Sequence, residues 1–367
     1  MSSSYIRTLL YKIIRDRVNL SLVLFILVIL LFRSNMVNSV IHRVDYNALS
    51  VVSCFILVSR GLIVGGFIDN LASGLVARSR GSTGLGLSLI AASYLLSTVA
   101  SNDGAVLIMT PIAVSASRIV GLDPALLVIP VILAANSGSM LTAFGNPQNI
   151  IIWQHYRLDA WTITYELAPL SLAGLAMLGI YISVIRLHGK DVPRLEYPRI
   201  KVNRKITISS AVLLAVDIVL GDIHLGIYAF IVTLAVFSIL DYRLLKSVDW
   251  SLILSFLLMF IGFGALSQII STLGVTLSNP LHVYILSILL SQTISNVPAT
   301  IALTGLTSSW KPLLLGVNIG GYITPVGSIA NILGLRLAGI KWRRYVTETL
   351  WFSALMLVLG LLTLLNA

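Results

Sequence analysis

Long apolar runs alternate with short polar interruptions along the whole chain. Residues 20–32, 48–68, 167–185, 206–220, 225–240, 251–270 and 345–365 read as membrane spans. A helix needs about 20 apolar residues to cross a ~30 Å hydrocarbon core, so the first run is short unless it starts nearer Ile13. The alternation of a transmembrane strand is absent. The pattern predicts an all-α polytopic membrane protein of about ten spans.

Other apolar runs are interrupted. Leu85 to Ala100 stops at Ser101-Asn102-Asp103-Gly104 and resumes as Ala105 to Ser117. Leu281 to Ile294 stops at Ser295-Asn296-Val297-Pro298 and resumes as Ala299 to Leu306. Arms this short predict two re-entrant hairpins with tips at 101–104 and 295–298. Irregular backbone at membrane depth is tolerated only where protein buries it or a cavity receives it. Two further segments read as broken helices, 124–155 and 312–338. In the first, Pro124 to Ala135 and Pro147 to Trp153 flank a polar stretch. In the second, Pro312 to Val317 and Ile329 to Leu337 do the same.

The interruptions repeat. Placing Asn318 on Asn136 puts Gly320 on Gly138, Thr324 on Thr142, Gly327 on Gly145 and Asn331 on Asn149. Val248-Asp249-Trp250 echoes Val44-Asp45-Tyr46, and the span after it repeats the Arg60 span without the arginine. Matching interruptions in two halves point to a transporter site. The expected organisation is a first repeat at 1–190, a basic connector at 191–205 and a second repeat at 206–367. Five crossings separate the Asp45 span from its echo, and an odd number makes the repeats inverted.

Charge supports that parity. Residues 1–19 mix four basic residues with apolar ones and read as an amphipathic lead-in. Of the 25 Lys and Arg, twenty fall on the N-terminal side of the membrane and four on the other. The positive-inside rule then places the N-terminus in the cytoplasm and the C-terminus outside a plasma membrane. The net charge of +11 therefore reports orientation in the lipid bilayer, and no nucleic acid partner is expected. Composition agrees: 57% hydrophobic and 11% charged residues, against about 25% charged in soluble domains. Cys54 is the only cysteine, which excludes an internal disulfide and a thiolate metal cluster. No ligand spacing links His155, His188, His224 and His282, so no transition metal is expected. No cleavable signal is evident, and without a nucleotide-binding loop any ATP drive would need another subunit. No Ser-His or His-Glu-His arrangement lies on facing spans, which argues against an enzyme.

Hairpin tips and broken helices bring free helix ends to one place. C-terminal ends offer carbonyls to cations, and N-terminal ends offer amides to anions. Asn146 before Pro147 and Asn296 before Val297-Pro298 read as caps. Gly138, Gly145, Gly320 and Gly327 permit turns and close approach to a ligand. Asn102, Asn136, Asn149, Asn318, Asn331, Thr142 and Thr324 supply side-chain oxygens. Asp103 and Arg60 are the charged residues placed within the membrane, where such residues are functional candidates by default. Asp103 is the candidate proton or cation ligand, or a helix cap. Arg60 is a charge partner for an anion or for Asp103, or a structural pair.

Ser-Asn-Asp-Gly-Ala at Ser101 to Ala105 with Thr110-Pro111 resembles the arsenical-pump membrane-subunit family. Gly145-Asn146-Pro147-Gln148-Asn149, Ser295-Asn296 and the Asp-aromatic entries at Asp45 and Asp249 resemble the wider ion-transporter superfamily. That superfamily includes citrate-transporter-like proteins and divalent-anion sodium symporters. The resemblance implies inverted repeats, a homodimer and elevator-type movement. In the symporters each tip reads Ser-Asn-Thr and helps hold sodium and a carboxylate. Ser101, Asn102, Ser295 and Asn296 match, which implies a sodium site there. Asp103 and Val297 depart from the threonine, which favours proton coupling or another anion. The expected function is a secondary transporter of a small anion, coupled to protons or sodium. Arsenite efflux and a passive anion channel are the alternatives.

Overall fold

A computed structural model describes residues 16–32, 42, 44–76, 79, 81–185 and 201–366. Most of the lead-in, much of the 33–47 loop and most of the 191–205 connector lie outside them. The described residues form sixteen α-helices and no strand. Seven are long and apolar enough to cross a membrane, and four shorter apolar helices accompany them.

The first half contains α1 (Arg17–Phe32), α2 (Tyr46–Val64), α3 (Phe67–Val76), α4 (Gly81–Ala100), α5 (Asn102–Val120), α6 (Ala125–Met140), α7 (Pro147–His155) and α8 (Ala160–Ile185). The second contains α9 (Arg204–Asp222), α10 (Gly226–Ser247), α11 (Trp250–Thr272), α12 (Pro280–Ile294), α13 (Asn296–Thr304), α14 (Trp310–Ile323), α15 (Ile329–Ala338) and α16 (Trp342–Leu365). A 3-10 turn, Pro325–Gly327, sits between α14 and α15.

Helix starts follow local chemistry. Asp45 caps α2 by accepting the Ala48 amide at 2.9 Å, and Asn279 caps α12 through the Leu281 and His282 amides with Pro280 in the first turn. The packing of the halves is reciprocal. Hairpin α4–α5 packs on α6, and hairpin α12–α13 packs on α14. Arm α5 packs on α15 of the other half, while arm α13 packs on α7. The scaffold helices are exchanged too: α9 and α10 cover α2, and α1 covers α11. Gly61 and Gly65 make the first exchange possible, because a Cβ at either would overlap Ser210 or Thr207 of α9. Asn19 on α1 secures the second, donating to Ser251 Oγ at 2.8 Å and accepting from Ser255 Oγ at 2.6 Å.

Several expectations need correction. The first hairpin's arms are 20 and 19 residues long, enough to cross a membrane by length, whereas those of the second are 15 and 9. The tips are tighter than four residues: only Ser101 and Ser295 leave the helix, and Asn102 and Asn296 already begin the next one. Helix α6 runs on through Asn136 and Gly138 to Met140, and α14 runs through Asn318 and Gly320 to Ile323. Buried amides find partners on neighbouring helices, so residues that favour turns in water stay helical here. Helix α3 went unforeseen because its run is short and carries Asp69 and Asn70.

Candidate functional site

The two hairpin tips share one unusual backbone conformation. Ser101 has φ 66° and ψ 158°, and Ser295 has φ 74° and ψ 158°. That region is nearly exclusive to glycine and costs about 1–3 kcal/mol for another residue. One residue thereby ends one arm and starts the next. Ser101 Oγ accepts the Gly104 amide at 3.3 Å, so serine is the cap here. At the second tip the residue in the cap position is Ser295, which displaces Asn296 from the role expected of it. Asn146 does cap α7, accepting the Asn149 amide at 3.2 Å.

The breaks in α6–α7 and α14–α15 meet face to face. Asn136 Nδ2 donates to Asn331 Oδ1 at 2.7 Å, and Asn318 Nδ2 donates to Asn149 Oδ1 at 2.8 Å. These bonds exchange under the repeat alignment, the signature of an internal two-fold. Asn149 Nδ2 then donates to the Thr142 carbonyl at 3.0 Å, and Asn331 Nδ2 to the Thr324 carbonyl at 3.1 Å. Each asparagine thus closes its own break and grips the other half.

The cluster widens to one tip. Asn102 Nδ2 donates to Asn136 Oδ1 at 3.1 Å and to Ser328 Oγ at 3.3 Å. Asn146 Nδ2 donates to Asn318 Oδ1 at 3.1 Å. Asn102, Asn136, Asn146, Asn149, Asn296, Asn318 and Asn331 are all buried. A buried amide left unpaired costs about 1–3 kcal/mol, so this network also fixes how the halves join.

The remaining expected residues fall around it. Thr142 Oγ1 donates to the Thr98 carbonyl at 3.0 Å, and Thr324 Oγ1 to Gln292 Oε1 at 2.9 Å, anchoring each break to its hairpin. Gly138 and Gly320 let α6 and α14 lie against Tyr94–Ser97 and Ser291, while Gly145 and Gly327 let each break fold back on Ser139 and Gly320. These glycines serve protein-to-protein approach. Asp103 is half-buried in the first turn of α5, and its amide donates to Asn102 Oδ1 at 2.9 Å. Arg60 is not brought to the cluster: its Nε donates to Ser247 Oγ at 3.1 Å. Among the described residues no ion pair joins it to Asp103.

A cavity of about 30 Å³ touches Ser59, Ser101 and Asn146 under Phe55 and Phe144, whose rings stack at 5.1 Å. Its size suits a water or a monatomic ion. Ser59 was not foreseen, since a lone serine on an apolar span gives no signal in sequence.

Paired hairpins, paired broken helices and a polar two-fold centre define a multi-pass membrane transporter. Residues 10–315 match the citrate transporter family, and the chain belongs to that family. It is 32% identical to the inner membrane protein YbiR of Escherichia coli K12, over 82% of each chain. It is 28% identical to the uncharacterized transporter MJ0456 of Methanocaldococcus jannaschii, over 84% of this chain and 86% of that one. The solved structure of the Alcanivorax borkumensis YdaH transporter, described as having an unusual topology, superposes with a TM-score of 0.55. That likeness covers 96% of this chain and 89% of the other at 14% identity, and it concerns the fold alone.

Proposed function

We propose that the protein is a secondary active transporter of a small anion, a carboxylate or an inorganic oxyanion, working by an elevator-type movement. The reciprocal bonds Asn136–Asn331 and Asn318–Asn149 carry this reading. They hold two opposed helix breaks at one centre, where helix N-termini present amides to an anion and C-termini present carbonyls to a cation. The moving unit comprises the hairpins and broken helices, with α1, α2, α9, α10 and α11 as the frame. A homodimer assembled through that frame completes the reading, with both termini placed as the charge count expects.

Sodium or a proton is the coupling ion. Ser101 and Asn102 at one tip, and Ser295 and Asn296 at the other, are the candidate sodium ligands, and the small cavity at Ser101 has the size for such an ion. Asp103 favours the proton, because a carboxylate replaces the neutral side chain of the sodium-binding tips it resembles.

The test is uptake into proteoliposomes under imposed proton or sodium gradients, with a panel of carboxylates and oxyanions that includes citrate, arsenate and arsenite. Asn102→Ala and Asn296→Ala are expected to abolish uptake while folded protein remains in the membrane. Asp103→Asn is expected to remove the response to a proton gradient while substrate still binds. If Asp103→Asn weakens sodium activation and leaves pH dependence intact, sodium is the driver. Uptake that ignores both gradients would identify a passive channel and overturn the proposal. Arsenite leaving the vesicles in place of anion entry would favour the efflux reading suggested by Ser101 to Ala105.

A further inference from the structure

His155 ends α7, the second half of a broken helix, and Asp45 caps the start of α2 in the frame. His155 Nδ1 lies 4.0 Å from Asp45 Oδ2. The Thr304 backbone carbonyl, at the end of hairpin arm α13, faces the same ring. A neutral imidazole has one N–H to offer these two acceptors, whereas a protonated one has two. Burial opposes a charge on the ring, and the carboxylate and carbonyl favour it. Both side chains line a cavity of about 310 Å³ that also touches Gln268 and Ser271 of α11 and Thr304 of α13. They are the titratable groups of that lining, and both are partly exposed, so water reaches them.

The other charges around α7 are already engaged. Lys311 of α14 pairs with Glu166 of α8 at 2.8 Å. Asp222 of α9 accepts the Trp153 indole at 3.1 Å and the Ala160 amide at 2.7 Å. Tyr156 meets the His155 ring edge-on at 5.0 Å. Helices α11 and α13 carry no titratable side chain. The other histidine at this boundary is His224, between α9 and α10, whose Nδ1 lies 3.3 Å from Gln154 Oε1.

We infer that His155 and Asp45 form a second proton-binding site of the transporter, besides Asp103, built across the boundary that moves. This rests on the transport reading above and on its division into a moving unit and a frame. The histidine travels with α7 while the carboxylate stays on α2. An opposite charge at this distance favours the protonated ring, so a proton binds more tightly in the paired position than in one that parts the pair. By linkage the proton then favours the paired position, and its loss frees α7 to leave Asp45. The proton enters from the water of the cavity.

The test is a distance between the two parts, read without substrate. The background is Cys54→Ala/Asp103→Asn, which removes the native thiol and the other candidate proton site. Spin labels at Ile239→Cys of α10 and Leu289→Cys of α12, both exposed positions, are measured by double electron–electron resonance. Labelled protein is diluted with unlabelled, so that distances within one subunit are read. Between about pH 8 and about pH 5, where histidine titrates, the population at the distance of this structure should rise about two- to fivefold over the other, as suits a partly exposed pair. Asp45→Asn keeps an oxygen for the Ala48 amide, so α2 retains its cap. Asp45→Asn and His155→Gln should each abolish the pH response, and His224→Gln should leave it in place. A response that survives Asp45→Asn or His155→Gln, or that His224→Gln removes, overturns the assignment. Identical distances at both pH values in the unsubstituted background overturn it as well, with anion transport still decided by uptake. A protein that shows the expected response but carries no citrate supports this site and counts against the substrate reading instead.

Discussion

Asn331→Ala and Asn149→Ala are equivalent by the repeat but should not be equal in cost. Each removes three side-chain hydrogen bonds. Asn331 Nδ2 serves the Gly321 carbonyl at 2.7 Å and the Thr324 carbonyl at 3.1 Å, and its Oδ1 receives Asn136 at 2.7 Å. Asn149 Nδ2 serves the Met140 carbonyl at 3.4 Å and the Thr142 carbonyl at 3.0 Å, and its Oδ1 receives Asn318 at 2.8 Å. At about 0.5–1.5 kcal/mol per bond, either loss is roughly 1.5–4.5 kcal/mol. The difference lies in what stays behind. Asn318 Nδ2 keeps the Leu314 carbonyl at 2.9 Å, whereas Asn136 Nδ2 makes no other bond among the described residues. An orphaned amide adds about 1–3 kcal/mol, so Asn331→Ala should be the more destabilising by that margin. Thermal unfolding in detergent reads it out. A kcal/mol corresponds to about 2–4 °C for domains of 150–250 residues, and somewhat less for a longer chain. The double variant Asn136→Ala/Asn331→Ala should fall short of additivity by about 0.5–3 kcal/mol. Equal melting temperatures for the two single variants, or a lower one for Asn149→Ala, would refute the reasoning.

Three further outcomes follow from the same geometry. Ser295→Gly relieves a positive-φ serine that makes no capping bond, so it should stabilise the fold by about 1 kcal/mol, while Ser101→Gly should gain less because it forfeits the Gly104 contact; a lower melting temperature for Ser295→Gly would contradict this. The Asp123 carboxyl is held below the usual carboxylate range, chiefly by the Ala125 amide, against opposing burial and with help from Arg344 at 2.6 Å. A depressed folded value stabilises above the unfolded value of about 3.9 and fades as pH falls through the folded one. Asp123→Asn should therefore cost a few tenths of a kcal/mol at pH 6 for this exposed pair and nothing at strongly acid pH, measured by melting at both. Single cysteines at Ser79 and Ser278, in a Cys54→Ala background, should react with an impermeant thiol reagent from opposite faces of the membrane; labelling from one face would refute inversion.

Much of the architecture was legible because polar residues are conspicuous in an oily chain. Asn136, Asn149, Asn318 and Asn331 announced both breaks and their pairing, and Ser101 and Ser295 marked both tips. What escaped depends on partners distant in sequence. The helical state of Asn136 and Asn318 follows from amides they meet across the two-fold, and isolated propensity reads them as breakers. The glycines looked like ligand approaches, yet what lies against Gly138 is the Tyr94 backbone with the Ser97 hydroxyl, and what lies against Gly320 is the Ser291 side chain. Arg60 looked like a partner for Asp103, since sequence places both charges in apolar segments but does not show that Arg60 bonds to Ser247. The positive φ at the tips has no sequence signature when serine carries it.

The exchange of frame helices bears on how the chain is made. Helix α2 leaves the ribosome about 140 residues before α9, the helix that packs on its Gly61–Gly65 face. At roughly 5–20 residues per second, its close-packing face with Gly61 and Gly65 waits about 7–28 s for a neighbour. Asn136 likewise waits for Asn331, synthesised 195 residues later. Neither half can reach its final form alone. The first must persist in the bilayer as an unpaired intermediate, with lipid or an insertion chaperone covering α2, until the second arrives. Two separately expressed halves should therefore be degraded singly and rescued together.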